Sequence, residues 1–112
     1  MGGNLSVAAE DPTLVEILHR LVETYQPERI YLFGSVARGD GDADSDYDLL
    51  IVVPNDAPPE RRRSRLAYEV LRGTGTPVDA LVCSHDWFFS RVHLRASLPG
   101  TVLREGRLLH AA

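Results

Sequence analysis

The chain has 112 residues, 44% of them hydrophobic, and a net charge of −4 in which all twelve basic residues are arginine. That length predicts a single domain over residues 1–112 with one hydrophobic core. It leaves no apolar run of the ~20 residues needed to cross a bilayer, and the acidity argues against a surface that wraps a long nucleic acid.

Residues 1–10 carry no periodic pattern and are expected to form a loose tail. Met1-Gly2-Gly3-Asn4 has neither the basic region nor the apolar core of a signal peptide. The lone Cys83 cannot form an internal disulfide, and both features fit a reducing cytoplasm. Asp11-Pro12 predicts a helix start, with an N-cap followed by proline at the first helical position. Leu14, Ile17, Leu18, Leu21, Val22 and Tyr25 then recur at helical spacing, and Pro27 ends the helix.

The pattern predicts a first strand over 29–33, then a loop over 34–45 with at most one short helical turn. A second strand over 47–53 follows, and its unbroken apolar run marks a central strand covered on both faces. Pro58-Pro59 opens a helix expected to reach about Arg72, with Leu66, Val70 and Leu71 inward. Gly73-Thr74-Gly75-Thr76-Pro77 breaks it before a third strand over 78–83. Ser84 is expected to cap a helix running to about Arg95. Ser97-Leu98-Pro99 starts a short last helix ending near Gly106, and Arg107-Leu108-Leu109 forms an edge strand. This order predicts an α/β or α+β sandwich, a small mixed central sheet flanked by helices, with the motif strands at its centre.

The chemistry concentrates between residues 34 and 48. Gly34-Ser35 closes the apolar run Ile30-Tyr31-Leu32-Phe33, and Asp46 and Asp48 open the next. Alternate residues of a strand share a face, so these two carboxylates stand side by side. At about 4 Å and an effective dielectric of about 20, two like charges repel by roughly 4 kcal/mol. A divalent cation removes that cost, and Mg²⁺ favours a few carboxylates together with substrate phosphates. Gly34-Ser35 suits phosphate because glycine lets the backbone approach it and the hydroxyl can donate to it. In Val78-Asp79-Ala80-Leu81-Val82, alternation puts an acid on the same face as Leu81. That is either an edge acid facing water or a third carboxylate of the same site.

Phe33-Gly34-Ser35, Ala37-Arg38-Gly39, Ser45-Asp46, Asp48-Leu49 and the later Asp79 together resemble the signature of the DNA polymerase beta-like nucleotidyltransferase superfamily. With so short a chain, the match is similar to its minimal nucleotidyltransferases, many of them antitoxins of HEPN-type ribonuclease toxins. The resemblance implies a nucleotidyltransferase fold. It implies that Asp46, Asp48 and Asp79 are the catalytic and metal-holding residues, with two Mg²⁺ ions, and that Gly34, Ser35 and Arg38 contact the nucleotide. It further implies ATP as substrate, AMP transferred to a hydroxyl, and a tyrosine of a HEPN toxin as acceptor. Asp79 would be the base for that hydroxyl. Assembly as a homodimer or with the toxin is compatible with this reading, and neither a membrane nor a long nucleic acid is expected as partner.

Other features keep simpler readings. Arg38 either reaches phosphate or steadies its own aspartate-rich loop. Arg61-Arg62-Arg63 reads as a solvated helix face, with a patch that meets an acidic partner as the alternative. Trp87-Phe88-Phe89 cannot all point inward from one helix, since neighbours fan out by about 100°. His19, His85, His93 and His110 lack metal-ligand spacing. Arg104 and His110 fall at a spacing found in HEPN ribonucleases, but Gly106 interrupts the segment. An antitoxin that neutralises by binding alone, an antibiotic-modifying nucleotidyltransferase and a relic interaction module remain as alternatives.

Overall fold

The computed structural model describes residues 11–39 and 46–112, without the side chains of Ser35 and Arg38. The expected tail over 1–10 and the loop residues 40–45 lie outside the described residues. The first helix, α1 (Pro12–Tyr25), starts as its sequence requires: Asp11 Oδ1 accepts from the Thr13 and Leu14 N–H groups at 3.0 and 3.4 Å. Its buried stripe is Leu14, Ile17, Leu18, Leu21 and Tyr25. Gln26 closes it in a left-handed conformation, with its N–H on the Val22 carbonyl.

Strand β1 (Arg29–Phe33) follows, then the five-residue α2 (Gly34–Arg38) and β2 (Tyr47–Val53). The crossover from β2 to β3 (Val78–Ser84) carries a 3-10 turn (Pro59–Arg62) and α3 (Ser64–Val70). After β3 come α4 (His85–Phe89), α5 (Leu98–Glu105) and β4 (Arg107–Ala111). Among the described residues the sheet is mixed and four-stranded, in the order β3-β2-β1-β4. β2 runs antiparallel to β1 and parallel to β3, and β4 runs antiparallel to β1.

The sheet is covered on both faces, which explains the unbroken apolar run of β2. One face packs Ile30, Leu32, Leu49, Ile51, Val53 and Ala80 against α1 and α3. The other packs Tyr31, Leu50 and Val52 against Phe88 of α4 and Val102 of α5. Among the described residues no helix is long and apolar enough to cross a membrane.

Two helices differ from expectation. The helix expected from Pro58-Pro59 to about Arg72 is broken at Arg63, which is extended at φ −104° and ψ 130°. The Arg63 carbonyl accepts from the buried Tyr25 hydroxyl at 2.5 Å, so a tertiary contact holds this residue out of the helix. The helix expected from Ser84 to about Arg95 stops at Phe89. Ser84 does cap it, with Oγ accepting from the Trp87 N–H at 3.2 Å. Beyond it, Ser97 Oγ donates to the Arg91 and Leu94 carbonyls at 2.7 and 2.8 Å and draws the chain into turns. Those turns lie on Gly100, where a Cβ would overlap the Leu94 carbonyl oxygen. Close approach to α5 thus wins over continued helix.

Candidate active site

The site grows from the end of the sheet where β1 finishes and where β2 and β3 begin. At Gly34 the chain turns from strand directly into helix, with φ +79°, a conformation that glycine adopts without steric cost. A Cβ built there would overlap Asp48 Oδ2 and stand 3.1 Å from Asp48 Cγ. The missing side chain therefore makes room for a carboxylate. Ala37 is buried and its carbonyl accepts from Arg107 Nε at 3.2 Å, which ties α2 to the start of β4.

Asp48 is opposite Phe33 on β1 and opposite Asp79 on β3. Strand alternation puts it on the same face as Leu50 and Val52. Two hydrogen bonds brace the start of β2. The Tyr47 hydroxyl donates to Asp11 Oδ2, the N-cap carboxylate of α1, and the Tyr47 N–H donates to the Pro77 carbonyl at 3.1 Å. The second bond extends the parallel ladder by a rung and holds β3 in the register that pairs Asp48 with Asp79.

Asp79 is exposed on the outer strand, and the Tyr68 hydroxyl of α3 donates to its Oδ1 at 3.1 Å. The same hydroxyl accepts from the Ala80 N–H at 3.3 Å. Asp46 is exposed just before β2 and borders a cleft of about 300 Å³ whose walls include Tyr68, Arg72, Thr76 and Val78. The structure thus brings Asp48 and Asp79 into register beside Gly34, with Asp46 two residues away along the chain. The side chains of Ser35 and Arg38 lie outside the described residues.

Among the described residues no three of His, Cys, Asp and Glu form a ready-made metal-ligand group. The donor chemistry nevertheless fits Mg²⁺. It is a hard cation that keeps several waters and is commonly held by one or two carboxylates plus substrate phosphates rather than by an all-protein cage. Two carboxylates facing each other across neighbouring strands, with space opened by Gly34, meet that requirement.

The other reactive side chains are elsewhere. Burial pushes the Cys83 thiol up to about 12, so it is not poised as a nucleophile. His85 Nδ1 pairs with Glu28 Oε1 at 2.6 Å, and its ring lies 4.5 Å from that of Phe89. This cluster is at the Val53–Ser84 end of the β2–β3 ladder, far from Asp48 and Asp79. Phe88 is fully buried while Trp87 is 38% exposed, so the three aromatic residues do fan out. Tyr68 was not among the expected site residues. No local pattern marks it, because its approach to Asp79 depends on how α3 packs against β3.

Comparison with known proteins decides the family. Residues 13–109 match the family model described as a nucleotidyltransferase domain. The chain belongs to this nucleotidyltransferase family. A Methanocaldococcus jannaschii protein named "Putative protein adenylyltransferase MJ0604" is 33% identical over 103 residues, covering 90% of this chain and 98% of the relative. A structure described as "toxin-antitoxin with AMP-PNP" has a TM-score of 0.57 and 23% identity, covering 87% of this chain and 73% of that one. That likeness supports the fold. A "putative nucleotidyltransferase" from Sulfolobus solfataricus has a TM-score of 0.49 and 29% identity, covering 65% of each chain. By its family match and its M. jannaschii relative the protein is an enzyme of the nucleotidyltransferase class, built on the mixed sheet with flanking helices expected from its sequence.

Proposed function

We propose that this nucleotidyltransferase transfers AMP from Mg²⁺-ATP to a protein hydroxyl, a tyrosine of a HEPN-type ribonuclease toxin, and so acts as its antitoxin. The observation that carries the proposal is the register of Asp48 with Asp79 on adjacent parallel strands beside the Gly34 turn. The name of the M. jannaschii relative supports a protein acceptor and an adenylyl donor, and the AMP-PNP complex supports a toxin partner.

In this reading Gly34, Ser35 and Arg38 receive the triphosphate. Asp46, Asp48 and Asp79 would hold Mg²⁺, which when bound neutralises charge on the triphosphate and favours departure of pyrophosphate. Asp79 takes the proton of the acceptor hydroxyl as its oxygen attacks the α-phosphorus. The partner supplies the surface that orients the acceptor.

The test is transfer of label from [α-³²P]ATP to the partner toxin, comparing wild type with Asp46→Ala/Asp48→Ala. Label that depends on the two carboxylates is the expected result. A stable complex with no label from any of the four NTPs would overturn the catalytic reading in favour of neutralisation by binding alone.

A further inference from the structure

We infer that Tyr68 is a built-in acceptor: in the absence of a partner the enzyme adenylylates its own Tyr68 hydroxyl. The inference rests on the proposed role of Asp79 as base. An acceptor hydroxyl must donate a hydrogen bond to that base before it gives up its proton, and the Tyr68 hydroxyl already donates to Asp79 Oδ1 at 3.1 Å. Its oxygen is also held from a second side, by the Ala80 N–H at 3.3 Å. Tyr68 is 46% exposed and borders the same cleft as Asp46, so it is open to solvent on the side of that carboxylate.

The element beneath Tyr68 is fixed. Its neighbour Ala67 is fully buried, which sets the rotation of α3. Arg20 Nη1 donates to the Val70 and Arg72 carbonyls at 3.1 and 2.9 Å and secures the end of that helix. The hydroxyl thus accepts from the Ala80 N–H at the sheet edge and donates to the carboxylate that stands in register with Asp48, so its oxygen is held beside the proposed base.

The step balances with ATP as the only co-reactant. Tyr68 Oη forms a bond to the α-phosphorus, the bond from that phosphorus to the bridging oxygen breaks, and pyrophosphate leaves with its electron pair. The phenolic proton passes to Asp79 and then to water.

The experiment is intact-mass and peptide-mapping mass spectrometry of the full chain after incubation with Mg²⁺-ATP alone. A parallel reaction contains the partner toxin. The expected result is one AMP adduct on the peptide containing Tyr68, absent in Tyr68→Phe and in Asp79→Asn. The modified fraction at a fixed time should also stay constant on tenfold dilution, as transfer within one chain requires. Label on the partner with no adduct on Tyr68 would overturn the inference and leave the proposed function standing. A yield that falls in proportion to dilution would also overturn it, since transfer would then run between chains. No label on either protein would remove the proposed function and this inference together.

Discussion

The α-carbon of Gly34 and the carboxylate of Asp48 adjoin so closely that a side chain on one would displace the other. The left-handed φ of +79° at Gly34 adds a second, independent reason for glycine. Gly34→Ala is expected to destabilise the fold by about 2 kcal/mol, from the backbone and the overlap together. Much of the overlap involves the carboxylate itself. In an Asp48→Ala background the cost of Gly34→Ala should therefore shrink, by about 1 kcal/mol in a double-mutant cycle of denaturation midpoints. Simple additivity would mean that backbone strain alone makes Gly34 necessary.

Asp48 and Asp79 face each other as like charges on neighbouring strands. Opposed like charges across a ladder cost on the order of 0.2–1 kcal/mol. Without divalent cation, Asp79→Asn should therefore raise the melting temperature slightly, since the amide oxygen can still accept from Tyr68. With millimolar Mg²⁺ and a non-hydrolysable ATP analogue, wild type should gain more thermal stability than the variant. Equal shifts in both proteins would sink the assignment of Asp79 to the metal site.

Desolvation holds His110 below the ordinary imidazole range, opposed by a hydrogen bond with the Pro27 backbone. The unfolded chain binds this proton near pH 6.5, and the folded chain binds it only at lower pH. Stability therefore rises with pH across that window. The contribution is fully present above about pH 6.5 and is lost as the pH falls through the unfolded value toward the folded one. His110→Gln should flatten the dependence of melting temperature on pH between about 7.5 and 5, relative to wild type. An unchanged slope would mean that His110 does not titrate differently on folding.

The Cys83 thiol, pushed up to about 12 by burial, holds almost no thiolate at pH 8. Alkylation by iodoacetamide in the native state should be slower than that of free cysteine by about 100-fold or more. Labelling at the rate of a free thiol, measured by mass shift over time, would contradict the desolvation of the Cys83 thiol.

Much of the fold was legible because its signals are local. The Asp11-Pro12 start, the helical stripe through Tyr25 and the apolar run from Leu49 to Val53 each specify an element without outside help. The errors lie where distant groups intervene. Nothing in Glu60-Arg61-Arg62-Arg63 announces that Tyr25 will bond the Arg63 carbonyl. Nor does His85 through Arg95 reveal that Gly100 will let the Leu94 carbonyl approach. The same division runs through the candidate site. Asp46 and Asp48 declare themselves by spacing beside an apolar strand, and Asp79 by its odd place in one. The pairing of Asp48 with Asp79 and the reach of Tyr68 belong to tertiary packing, so sequence periodicity could not supply them.

One of the two facing carboxylates rides on an inner strand and the other on an outer one. β2 is sandwiched between β1 and β3 and buried from Leu49 to Val53, whereas β3 has a ladder partner on one side only among the described residues. Outer strands open in local fluctuations that leave the rest of a sheet intact. On warming, Asp79 should therefore drift from Asp48 before the helices and central strands give way. Transfer activity would fade at temperatures where circular dichroism still reports a folded protein, and amide exchange in β3 would outpace that in β2. The thermal limit of this enzyme is then a property of an outer strand, so a substitution that merely pins β3 should extend its working range without touching a single reacting group.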